Sequence, residues 1–196
     1  MFNEIELKGN VNKLMLLASI FVAALLTSNV IAVKLFTMSL SMNLFLTTAV
    51  FVYPVSFLCT DVISEVWGKK IAAKIVRYGF ISNIVLFLFI YLAKILPAAP
   101  FWPHQEAYNT ILGAVPRIIL ASMVAYLVSQ HWDVWFFHKV KEWTSGKHLW
   151  LRNNLSTMTS QVFDTILFIG IAFWGVMPLG ALATMAILQY LIKFAY

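Results

Sequence analysis

The sequence predicts an all-α polytopic membrane protein: six transmembrane helices, with an interfacial amphipathic helix between helices four and five. Three observations predict it. Of 196 residues, 61% are hydrophobic and only 11% charged, with a mean hydropathy of +0.84, a balance that a water-soluble globule does not carry. Six apolar stretches, at 14–36, 43–62, 72–96, 109–131, 154–174 and 179–195, have lengths suited to a hydrocarbon core about 30 Å thick. The bases lie in short runs beside those stretches, the usual arrangement for orientation in a bilayer. No hydrophilic block is long enough for a soluble domain or an ATPase motor, so residues 1–196 read as one transmembrane domain. The net charge of +6 is spread through these flanking runs and does not imply nucleic acid. Cys59, a lone thiol, cannot form an internal disulfide.

After a polar lead to Asn12, the first apolar run is too long for a signal-peptide core and reads as a retained helix, with Ser28, Asn29 and Lys34 toward its far end. The second span contains Tyr53 and Pro54, where a bend is expected, and ends in Asp61 and Glu65 before Gly68, Lys69 and Lys70. The third holds Asn83 and stops at Pro97 and Pro100. A loop rich in Pro and Trp follows. The fourth carries Arg117 near its start and then Ser122, Tyr126, Ser129, Gln130 and Asp133 on one helical face. Beyond it Trp132, Trp135, Phe136, Val140 and Trp143 alternate with charged residues, a pattern suited to a helix lying in the interface. Gly175, Pro178 and Gly180 make a tight turn between the fifth span and a short sixth.

Topology follows from the bases. With the N-terminus in the cytoplasm, the inner segments hold Lys8, Lys13, Lys69, Lys70, Lys74, Arg77, Lys139, Lys141, Lys147, Arg152 and Lys193. The outer segments hold only Lys34 and Lys94, and Arg117 falls within span four. The bias places both termini inside.

The fifth span carries the sharpest signal. Asp164 lies ten residues beyond Asn154, roughly 15 Å along the helix and near mid-membrane. An Asp at that depth costs about 2.5 to 3.5 kcal/mol on insertion scales, so it faces a partner, a cavity or a ligand. Asn153, Thr157, Gln161 and Asp164 share a helical face, like the wall of a polar cavity. The bland readings stand beside this one: Asp164 protonated or paired with a base as structural glue, Asp61 and Glu65 as interfacial carboxylates, Arg152 as an orienting charge, Asn153 as an N-cap, and the tryptophans as belt anchors. His104, His131, His138 and His148 lack ligand spacing, so no metal is expected, and no cofactor is implied. The sequence lacks G-x-G-D, H-E-x-x-H and G-x-S-x-G, which argues against an enzyme. An intramembrane pair of Asp61 and Asp164 would be the enzymatic alternative.

Four segments together resemble the queuosine precursor transporters, small bacterial inner-membrane proteins associated with uptake of 7-cyano-7-deazaguanine. They are Ser28-Asn29 with Lys34, YPVSFLCTDVISEVWGKK from Tyr53 to Lys70, RIILASMVAYLVSQHWDVWFF from Arg117 to Phe137, and LWLRNNLSTMTSQVFDTILFIGIAFWG from Leu149 to Gly175. The resemblance covers nearly the whole chain. It implies a transporter in the bacterial cytoplasmic membrane, supplying a 7-deazaguanine base for tRNA modification. Such a base presents adjacent N–H donors to a carboxylate and a flat face to an aromatic ring. The implied site has Asp164 or Glu65 accepting the guanine-like edge, with Asp61 near it. Gln130, Gln161 and Asn153 complete hydrogen bonds, and Tyr126 or Trp67 packs on the ring. Arg117, Arg152 and Lys34 pair with carboxylates, while Asp133 and Asn29 line the pathway. The implied partners are this small molecule and the lipid bilayer, with a homodimer as the economical assembly for so small a bundle. A substrate-binding subunit of an energy-coupling-factor transporter is the alternative within transport.

Overall fold

The chain answers its apolar composition with helices that keep their apolar sides outward. In this computed structural model five segments are long and apolar enough to cross a membrane: Asn10–Ile31, Thr48–Trp67, Lys69–Ile95, Gln105–Trp143 and Asn153–Phe173, with a shorter apolar helix over Leu179–Lys193. The structure describes residues 4–40, 42–144 and 149–195, and the side chains of 10–37, 45–144, 150–151 and 153–193. Large side chains such as Leu88, Phe89 and Leu92 stand exposed, as lipid-facing residues do, because hydrocarbon solvates them as well as a protein core would. The protein is an all-α, multi-pass membrane protein.

Its elements are α1 (Glu4–Ile31), strands β1 (Leu35–Leu40) and β2 (Met42–Thr47), a 3-10 turn (Thr48–Phe51), α2 (Tyr53–Trp67) and α3 (Lys69–Ile95). Then come α4 (Gln105–Leu112), α5 (Val115–Trp143), α6 (Leu149–Phe173) and α7 (Leu179–Ala195). They divide into two compact units, Met1–Lys34 with Thr47–Pro116, and Leu35–Leu46 with Arg117–Tyr196.

In the first unit α1, α2 and α3 pack around Phe21, Cys59, Ile63 and Ile75, with Leu17, Leu25, Trp67 and Ile71 against them. The closest approach is at Gly79 of α3, where a Cβ would stand 2.8 Å from Leu25 Cδ2 and 2.9 Å from Phe21 Cε1. Gly68, at φ +89, adopts a conformation open to glycine and separates α2 from α3. Leu96 turns extended at ψ 135 because the following Pro97 disfavours helix in the residue before it.

Four expectations change here. The stretch 35–47, whose ends 35–36 and 43–47 fall in the first two predicted spans, contains two paired strands, Leu35–Leu40 and Met42–Thr47; a short apolar run fits either structure by periodicity alone. Its ends are tied by Thr48, whose amide donates to Lys34 O at 3.0 Å and whose hydroxyl donates to Ile31 O at 2.5 Å. Pro54 does not bend a helix. It sits in the first turn of α2, where its missing N–H has no helical partner to lose. The fourth span does not start as one helix near Asn109: α4 ends before Gly113, and α5 restarts with Pro116 in its first turn. Finally, Trp132 to Trp143 form no separate interfacial helix. They continue α5, whose 29 residues contain no Gly or Pro after Pro116 and extend about 43 Å, more than a hydrocarbon core of about 30 Å.

In the second unit Arg117 at the start of α5 donates from Nε to Ile171 O at 2.7 Å and from Nη2 to Trp174 O at 2.5 Å. These carbonyls lie at the C-terminal end of α6, where helical oxygens lack intrahelical partners and a cation is favoured. Gly175, at φ +78, then reverses the chain. The five-residue connection to α7 makes α6 and α7 an antiparallel hairpin.

Candidate functional site

The polar side chains carried into apolar helices gather at one place in each unit. In the first, Asn29 and Asn83 are buried at 4% and 1% exposure. Asn29 Nδ2 donates to Asn83 Oδ1 at 2.9 Å, joining α1 to α3. Ser28 satisfies itself by donating to Leu25 O at 2.8 Å. An amide pair of this kind, in a region without water to compete, fixes two helices against each other.

The second unit holds the larger gathering, between α6 and α7. Lys193 Nζ lies 2.5 Å from Asp164 Oδ2, and the Lys193 side chain is 8% exposed against 22% for Asp164. The same ammonium donates to Thr165 Oγ1 at 3.5 Å. One turn before Asp164 on α6 is Gln161, whose Oε1 is buried with no hydrogen-bond partner among the described residues. One turn before Lys193 on α7 is Gln189, 1% exposed, and both its Oε1 and its Nε2 lack a partner among the described residues. An ion pair is thus flanked along the helix hairpin by two carboxamides with unmet capacity. Buried polar atoms are almost always paired, and leaving one unpaired costs about 1 to 3 kcal/mol.

Nearby, Ser160 Oγ donates to Asp133 Oδ1 at 3.4 Å, linking α6 to α5. An aromatic groove of about 430 Å³ is lined by Leu127, Val128, His131, Trp132, Trp135 and Phe163. The Trp132 and Phe163 rings stand 4.3 Å apart.

Of the residues singled out from the sequence, Asp164 and Gln161 lie one turn apart on α6, and Asp133 on α5 accepts from Ser160, the residue before Gln161. Gln130 and Asn153 are exposed and Tyr126 is half-buried. Asp61 and Glu65 are exposed on α2, and Trp67 packs into the apolar cluster of the first unit. Lys34 is exposed and Asn29 is bound to Asn83. Arg117 binds carbonyls rather than a carboxylate. The side chain of Arg152 lies outside the described residues, as do those of Lys8 and Lys147.

Sequence reasoning missed Gln189 and the pairing of Lys193. The signal was present: a single amide and a single base, four residues apart, are the strongly polar side chains of the otherwise apolar run 179–193. Four residues is one turn, so the two share a face.

The family model described as "Putative vitamin uptake transporter" matches residues 47–196. The chain belongs to that family. Among its relatives is the "Probable queuosine precursor transporter" of Bacillus subtilis (strain 168), 37% identical over 73% of this chain and 63% of that protein. The "Queuosine precursor transporter" of Escherichia coli (strain K12) is 31% identical over 65% of this chain and 55% of that one. The resemblance read from the motifs to queuosine precursor transporters is borne out by these relatives. The matches span about half to under two thirds of the lengths of these curated relatives. No solved structure matches the chain.

Proposed function

We propose that this member of the uptake transporter family carries the queuosine precursor 7-cyano-7-deazaguanine, and related 7-deazaguanines, across the bacterial cytoplasmic membrane for tRNA modification. It does so as a carrier rather than an enzyme, with both termini in the cytoplasm. The observation that carries the reading is the Asp164–Lys193 pair between α6 and α7, with an unpartnered amide atom one turn away on each helix. The names borne by the relatives and the motifs shared with queuosine precursor transporters support the substrate. So does the chemistry, since a 7-deazaguanine offers N1–H and a 2-amino group side by side, which suit the two oxygens of a carboxylate.

Asp164 is then the residue that accepts the guanine-like edge, with Gln161 beside it. Lys193 supplies the counter-charge that makes a carboxylate tolerable at this depth. Asp61, Glu65, Gln130 and Asn153 are exposed and Tyr126 is half-buried, and Trp67 packs into an apolar cluster. The test is accumulation of labelled 7-cyano-7-deazaguanine by cells that cannot synthesise it, expressing the intact protein or Asp164→Asn at matched membrane abundance. The reading expects uptake by the intact protein and at least a tenfold loss in the variant. Absence of uptake by the intact protein overturns the substrate assignment, and uptake unchanged by Asp164→Asn removes that carboxylate from the pathway.

A further inference from the structure

Among the described residues, Gln189 of α7 is buried, at 1% exposure, with its whole side-chain amide unpartnered, and a leucine would fill a similar volume without stranding a donor and an acceptor. With Gln161 Oε1, also unpaired, the cluster has unmet capacity for at least two donors and one acceptor. We infer that Gln189 reads the substrate, and that it does so on the edge carrying the ring nitrogen to which a sugar would attach, so that the site selects free bases over nucleosides.

The inference rests on the uptake reading above and follows from counting atoms. A carboxamide offers an acceptor and a donor side by side, so its best planar ligand offers an adjacent donor and acceptor. A 7-deazaguanine has three such pairs, N1–H with O6, a 2-amino proton with N3, and N9–H with N3. If Asp164 takes N1–H and one proton of the 2-amino group, the first pair is used, and if Gln161 Oε1 accepts the other 2-amino proton the second is used as well. The third then remains for Gln189, with Oε1 accepting N9–H and Nε2 donating to N3. Gln189 lies one helical turn before Lys193, whose ammonium binds Asp164, so the amide and the ion pair share a face of α7. Substitution at N9 removes the donor and puts bulk against the amide.

The experiment measures equilibrium binding of 7-cyano-7-deazaguanine and of its N9-methyl analogue to the purified full chain in detergent, intact and as Gln189→Leu, with a thermal midpoint for each. The intact protein is expected to bind the free base roughly 10- to 100-fold more tightly than the N9-methyl compound, the discrimination one or two hydrogen bonds provide. In Gln189→Leu affinity for the free base falls by a similar factor and the preference collapses to within about threefold. The unliganded variant melts no lower than the intact protein, since an unpaired buried amide has been replaced by an apolar group. A merely structural Gln189 would lower the melting point and leave the preference intact, which overturns the inference alone. An intact protein that binds the two compounds equally also overturns it. If the intact protein binds neither, the uptake reading falls and takes this inference with it.

Discussion

At the scale of single residues, the ion pair between α6 and α7 joins the two helices and is the proposed centre of the transport site. Removing one partner of a buried pair strands the other and costs about 3 to 5 kcal/mol, whereas replacing both with apolar groups is often neutral. Lys193→Met should therefore lower the thermal midpoint in detergent markedly, and adding Asp164→Leu should recover most of the loss. Uptake should be lost in both proteins. Equal melting of the single and double variants would show that the pair is not coupled. This pair also shows what could be read from the sequence. Asp164 and Gln161 were legible because a polar group on an otherwise apolar helix is costly and because helical spacing placed them together. Lys193 was not, since a base in the last turn of a helix satisfies both the orientation rule and the helix dipole without any partner. Which carboxylate a base meets depends on the packing of two helices, and spacing along one helix does not contain it.

At the scale of elements, the helix ends and close approaches carry the architecture. Arg117 binds two carbonyls at the end of α6 through two different nitrogens, a geometry that a lysine ammonium does not reproduce. Arg117→Ala should destabilise the protein by about 1 to 3 kcal/mol, read as a lower thermal midpoint, and Arg117→Lys should recover less than half of it. Full recovery by lysine would mean that only the charge matters. Gly79 makes a second test, because the side chains of Phe21 and Leu25 occupy the space above it. Gly79→Leu should separate α1 from α3 at a cost of about 1 to 3 kcal/mol, and an unchanged melting point would contradict that packing. Element boundaries were legible where the backbone dictates them, as at Gly68 and Pro97. They were misread where composition is ambiguous. Residues 35–36 and 43–47 continue the apolarity of the neighbouring spans yet lie in strands, and the amphipathic pattern from Trp132 to Trp143 belongs as readily to a long helix leaving the membrane as to a helix lying on it.

At the scale of the whole molecule, the same economy recurs. Apolar surface is left outward for lipid, and buried polar side chains among the described residues meet between helices, as an amide pair in one unit and as an ion pair in the other. The distribution of bases gives the proposed orientation a direct check: reporters fused to either terminus should both register the cytoplasm, and a reporter active outside would reverse the topology. The central claim is that this chain carries a 7-deazaguanine by way of the polar cluster between α6 and α7. Its most direct test is entry of labelled 7-cyano-7-deazaguanine into proteoliposomes containing this chain and no other protein. The account predicts saturable entry that Asp164→Asn abolishes. No entry with the intact chain, or entry restored only by adding an ATPase pair, would contradict it.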